Sequence, residues 1–168
     1  PEFEAYARES FPTGGEIRAC LADLNHRVFS EFRYDSTATT VTTPVEHVFR
    51  IRKGVCQDFA HLLISLIRSV GLPARYISGY LRTIPPPGQP RLVGADASHA
   101  WVSVYCGSQG WVDLDPTNNQ FPSTDHITIA WGRDYSDVAP LKGVYIGGSS
   151  PQLTVSVDVV EEPADLVK

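Results

Sequence analysis

Three observations along this chain predict an α+β fold, with helices packed on one face of an antiparallel sheet. Helical spacing of apolar residues runs through the first part of the chain and stops at Gly71-Leu72-Pro73. Alternating strand-like patterning then takes over. Within that second part, Gly107-Ser108-Gln109-Gly110 joins two strand-like runs and reads as a hairpin, which makes the pairing antiparallel. Helices first and strands afterwards is the order of an α+β domain.

The elements follow in order. Ile17, Leu21, Leu24 and Val28 form one apolar face and predict a helix over 15–33. Residues 37–43 are Thr-rich and read as extended or looped. A short helix starts next, with Thr43 as its cap, Pro44 in the first helical position and Glu46 three residues after Thr43. Lys53-Gly54 ends it. Phe59, Leu62, Leu63, Leu66, Ile67 and Val70 then predict a helix buried on much of its surface, stopped by Gly71 and Pro73. Strands are predicted at 74–81, 99–106, 111–116 and 127–131, with later ones at 144–146 and 153–160. Residues 83–97, rich in Pro and Gly, are a loop that is either a solvated hairpin tip or a lid over a site. The tail 161–168 is expected to fray.

The chain has 168 residues, the size of one domain, taken here as 1–168 with a core of about 15–160. It starts at Pro1 and contains no Met, so the expectation is the C-terminal part of a longer protein. Net charge is −5 and no basic stripe is visible, which argues against nucleic acid as a partner. No apolar run reaches the roughly 18 residues that cross a bilayer, so no membrane partner is expected. Cys20, Cys56 and Cys106 are widely spaced, which favours reduced thiols and a cytoplasmic setting over a disulfide framework. Without CxxC or a histidine pair at metal spacing, no zinc site is expected. Without a clustered acidic loop, no calcium site is expected either.

Cys56 lies just after Gly54-Val55 and just before the buried helix. A thiol at a helix N-terminus feels the positive end of the helix dipole, which favours the nucleophilic thiolate. The free N–H groups there can also hold an oxyanion. Gly54 is expected to permit the turn into the helix. His99 opens a strand and is the candidate base, which needs a third group to fix its tautomer. If paired residue numbers across the hairpin sum to an even value, His99, Trp101, Asp113 and Asp115 share one face. Both carboxylates can then fill the role. Asp115, nearer the His99 end and followed by Pro116, is preferred, and Asp113 is the fallback. Gln57 is a candidate supporting polar group. Trp101 and Trp111 read as a cross-strand packing pair, Trp101 being also a candidate for contact with substrate. His61 reads as a packing residue, and Arg75 and Tyr76 as supports of the sheet.

Four segments together resemble the transglutaminase-like superfamily, most closely its bacterial branch. They are Gly54-Val55-Cys56-Gln57-Asp58-Phe59-Ala60-His61, Gly71-Leu72-Pro73-Ala74-Arg75-Tyr76, His99-Ala100-Trp101-Val102, and Gly110-Trp111-Val112-Asp113-Leu114-Asp115-Pro116-Thr117-Asn118. The resemblance covers roughly residues 15–120. It implies a papain-like core with Cys56, His99 and Asp115 as the catalytic positions, which decides Asp115 over Asp113. It implies acyl transfer through a thioester on a protein, peptide or small amide substrate, with no cofactor. Similar bacterial proteins often carry a β-rich N-terminal domain. Animal transglutaminases place a Trp before the nucleophile, whereas here Trp101, Trp111 and Trp131 all follow it. The second oxyanion donor is therefore unassigned. A cysteine peptidase or amidase is the leading expectation. An amine-using transglutaminase and a non-catalytic interaction domain are the alternatives.

Overall fold

A computed structural model describes residues 1–83, 97–140, 143–144, 146–147 and 155–161. The N-terminal half holds four helices: α1 (Glu2–Arg8), α2 (Ile17–Glu31), α3 (Val45–Ile51) and α4 (Cys56–Ser69). Two short parallel strands, β1 (Arg33–Tyr34) and β2 (Lys53–Gly54), join the exit of α2 to the entry of α4. The second half forms an antiparallel sheet of β3 (Ala74–Leu81), β4 (Ala97–Tyr105), β5 (Trp111–Leu114) and β6 (His126–Gly132), in the order β5-β4-β3-β6. A last helix, α5, spans Tyr135–Val138.

The centre of the molecule is α4. Phe59, Leu62, Leu63, Leu66 and Ile67 are at most 2% exposed, because α4 is covered on both sides. The sheet covers one side with Tyr76, Val102, Val104 and Leu114, and the N-terminal elements cover the other with Leu21, Leu24, Val28 and Phe32. Truncating one such leucine to alanine typically costs about 2–5 kcal/mol, through lost burial and the cavity left behind. Gly71 ends α4 in the left-handed region at φ +88°, and the Leu72 N–H bonds back to the Ile67 carbonyl at 3.2 Å.

Several expectations need correction. Pro44, not Thr43, caps α3. The Thr43 hydroxyl instead accepts the Thr40 N–H at 2.8 Å within the preceding turn. Gly54 is not among the residues with positive φ. Its missing side chain matters for space, because a Cβ there would lie 2.7 Å from the Asp58 carboxylate. Trp101 and Trp111 are not partners: Trp111 pairs with Tyr105, and Trp101 with Ile77. The described residues of the two late segments, 144, 146 and 155–160, lie in no named strand, and Val144 and Ile146 are almost fully exposed. Helix α1 was not anticipated. Most of the Pro-rich loop lies outside the described residues.

The hairpin register is the one expected. Val102 pairs with Leu114 and Ser103 with Asp113, so odd-numbered residues of β4 and β5 share a face. In β3, Gly79 pairs with His99, and the register against β6 shifts between Ser78 and Gly79. A Cβ on Gly79 would meet the Trp101 ring at 2.6 Å, so the bare glycine makes room for that indole.

Candidate active site

Cys56 is the first residue of α4 and is half-buried. Its position is set by Asp58, which is 3% exposed. The Asp58 Oδ2 accepts the Val55 N–H at 2.8 Å and the Thr39 hydroxyl at 2.6 Å. One buried carboxylate thus satisfies an orphan donor of the helix start and ties the preceding loop to it. Sequence reasoning gave Asp58 no role. The β1–β2 pairing sets Tyr34 opposite Gly54, two residues before Cys56. Burial, and then the charge of a Cys56 thiolate, push the Tyr34 and Tyr76 hydroxyls above the usual tyrosine pKa.

His99, near the start of β4, is 8% exposed. Its Nε2 lies 2.7 Å from Asp115 Oδ2. Asp115 follows the end of β5 and has no exposed surface. It is held by backbone bonds with Gln120, and its carbonyl accepts from Asn25 Nδ2 of α2 at 3.2 Å. Its Oδ1 accepts the N–H groups of Thr117 at 2.9 Å and Asn118 at 3.2 Å. Its Oδ2 also accepts from Asn118 Nδ2 at 2.8 Å and faces His126 Nε2 at 3.0 Å. His126, the first residue of β6, and Asn118 were not singled out as site residues by sequence. An isolated histidine many residues beyond the hairpin carries no local signature of this contact.

The electrostatics follow from the geometry. Burial pushes the Asp115 carboxyl up, but the hydrogen bonds from His126, His99 and Asn118, with the His99 charge, hold it well below the usual range. Burial pushes His99 down. The hydrogen bond to Asp115, together with the hydrogen bond and charge of Cys56, outweighs burial and raises its pKa to about 9. Nε2 is engaged by Asp115, so Nδ1 is the ring nitrogen left for the thiol. A thiol, an imidazole and a buried carboxylate are thereby brought together in an order along which a proton can be moved and a cation held.

The other expected residues fall elsewhere. Asp113 accepts the Trp101 indole N–H at 3.3 Å. Trp101 has no exposed surface and packs 6.0 Å from the His99 ring and 5.2 Å from the His126 ring, between centroids. It packs against both histidine rings. Gln57 donates its side-chain amide to the Val41 carbonyl at 3.2 Å. His61 accepts the Tyr135 N–H at 3.1 Å, and burial lowers its pKa, as suits a neutral packing ring. The Arg75 guanidinium lies between Trp111 and Trp131, 4.0 and 4.5 Å from their centroids. Cys20 is buried, and Cys106 is half-buried at the end of β4.

His99, Asp115 and His126 are also of metal-binding type, with one atom from each lying within 4.8 Å of the others. The 2.7 and 3.0 Å separations from the shared Oδ2 are hydrogen-bond lengths.

Residues 12–116 match the model of the transglutaminase-like superfamily, and the chain belongs to that family. An uncharacterised Mycobacterium tuberculosis protein is 46% identical over 165 residues, which cover 95% of this chain and 52% of that protein. The chain thus spans about half the length of the curated relatives it matches. A Pseudomonas aeruginosa protein named protein-glutamine gamma-glutamyltransferase is 32% identical over 107 residues, covering 63% of this chain and 16% of that protein. Among solved structures, a Cytophaga hutchinsonii protein to which cysteine-protease activity is attributed has a TM-score of 0.68 at 30% identity. The match covers 82% of this chain and 44% of that one. The periplasmic domain of TgpA from Pseudomonas aeruginosa has a TM-score of 0.55 at 27% identity, covering 71% of this chain and 43% of that one.

Proposed function

We propose that this member of the transglutaminase-like superfamily carries out thiol-dependent acyl transfer at amide or peptide bonds, as a cysteine peptidase or amidase. The observation that carries the reading is His99, held by Asp115 at 2.7 Å and raised in pKa by the same Cys56 that opens α4. Cys56 is the nucleophile, His99 the acid and base, and Asp115 the orienting carboxylate.

In the first step the Cys56 thiolate attacks the carbonyl carbon of the substrate. The oxyanion that forms is met by the free N–H groups at the start of α4. The C–N bond then breaks, and the proton on His99 Nδ1 passes to the leaving amine, giving a thioester on Cys56. A water molecule attacks the thioester and gives a proton to His99. The C–S bond breaks, the acid leaves, and thiolate and imidazolium are restored. Asp115 keeps Nε2–H directed at itself throughout, so Nδ1 faces the chemistry in both steps.

An amine can replace water in the second step, giving a new amide in place of an acid. The Pseudomonas relative named as a glutamyltransferase favours this second reading. A non-catalytic binding domain would have no use for a buried carboxylate held by so many donors behind His99. The test is to incubate the protein with glutamine-containing peptides and simple amides, with and without a primary amine, and to read the products by mass spectrometry. Free acid in both conditions supports the hydrolase, and new amide supports the transferase. Turnover that survives Cys56→Ala overturns both.

A further inference from the structure

His126 faces the same oxygen of Asp115 as His99 does, at 3.0 Å against 2.7 Å. Its side chain is 1% exposed, and its Nδ1 has no hydrogen-bond partner among the described residues. Its backbone is fixed twice, by pairing with Leu81 in β3 and by an N–H bond to the Ser123 carbonyl at 3.1 Å. Its ring is fixed by Trp101, edge-on with centroids 5.2 Å apart at 84°. Trp101 is in turn held by Asp113 and seated over Gly79. A buried polar ring braced on this scale, with its Nε2 aimed at the carboxylate behind the candidate base, is built for that bond.

We propose that His126 is a positioning residue for the acyl-transfer site, a second imidazole N–H that clamps the same Asp115 oxygen as His99. This rests on the roles proposed above for Cys56, His99 and Asp115. An ionised carboxylate only accepts hydrogen bonds, so the short contact requires the proton on His126 Nε2. That donor has two consequences. It removes the rotational freedom of the Asp115 side chain that would let Oδ2 swing away from His99. It also offsets the cost of burying the carboxylate charge, which keeps Asp115 ionised where desolvation alone would favour the acid. His126 acts on the reaction only through Asp115.

The test compares His126→Phe, which keeps a ring of similar size but no donor, with His126→Gln, which keeps an N–H. The probe is iodoacetamide, and the readout is the alkylation rate of Cys56 near pH 6, with Cys20 labelling as a check on opening of the fold. His126→Phe is expected to slow Cys56 by roughly tenfold, the scale of one hydrogen bond to a charged group. His126→Gln should recover most of that rate, and neither change should matter in an Asp115→Asn background. Where Cys56 outpaces Cys106 in the unaltered protein, an unchanged rate in His126→Phe, or equal losses in Phe and Gln, overturns the clamp. Imidazole 15N NMR of the unaltered protein reports separately: both His99 and His126 should carry a proton on Nε2. A bare Nε2 on His126 overturns the inference even if Cys56 is reactive. A Cys56 no faster than Cys106, with both Nε2 protons present, instead counts against the proposed activity while the clamp stands.

Discussion

Replacing Asp115 with asparagine keeps shape and removes charge, and the structure sets what must follow. Oδ1 receives two backbone N–H groups, from Thr117 and Asn118. Oδ2 receives His99, His126 and Asn118 Nδ2. The new NH2 group has to face one set or the other. Facing the Oδ1 side is the cheaper choice, since it opposes two donors rather than three. Each donor left without an acceptor costs about 1–3 kcal/mol, so the lower end of the loss is about 2 kcal/mol. In a domain of this size that lowers the melting temperature by roughly 4–8 °C. The effect on chemistry is larger. With the charge gone, burial of His99 is opposed only by Cys56, and the His99 pKa falls from about 9. Turnover on any amide substrate is expected to drop by roughly 10²–10⁴-fold. The assay is calorimetric melting together with iodoacetamide labelling of Cys56 across pH. A variant that melts within a degree of the unaltered protein and labels with the same pH profile would refute both the clamp geometry and the assignment of Asp115.

Three further outcomes are expected. Cys56→Ala should abolish turnover while leaving the melting temperature within a few degrees, since the thiol is half-buried; a large loss of stability would show that Cys56 is mainly a packing residue. Stability should fall as pH rises from about 6.5 through about 9. A histidine with a raised folded pKa contributes fully below its unfolded value, near 6.5, and loses that contribution above its folded one. Urea titrations across that window should show a decline on the order of at most 3 kcal/mol, and a rise would contradict the His99 assignment. At the acid end the depressed Asp115 works the other way, so its contribution holds above about pH 4 and fades below it. Gly54→Ala should cost about 1–3 kcal/mol and slow Cys56 labelling, because the added methyl meets Asp58 at 2.7 Å and shifts the entry of α4. Unchanged urea midpoints would mean that Asp58 is free to move aside.

Fold class, the buried α4 helix with its stop at Gly71, strand β3 and the parity of the hairpin were legible in the amino-acid sequence alone. These follow from local spacing: which residues recur every three to four positions or every two is written in the chain, and the face they share comes with it. The motifs around Cys56, His99 and Asp115 were legible for the same reason. What lay beyond reach was whatever depends on residues meeting across the sheet and the helix layer. His126 and Asn25 reach Asp115 from β6 and α2, and no pattern near either residue announces a partner 11 or 90 positions away. Gly54 was visible as a glycine, but only the folded Asp58 above it shows that space, not backbone freedom, is the reason. Trp101 could be placed on the face of His99 by counting, and its full burial came from packing against Gly79 and His126. The sequence already preferred Asp115 over Asp113, from its place beside Pro116 and from the family motif, and the structure adds the physical reason. Alternation puts both on one face, and only the end of β5 at Leu114 turns Asp115 under the histidines while Asp113 is left to the Trp101 indole.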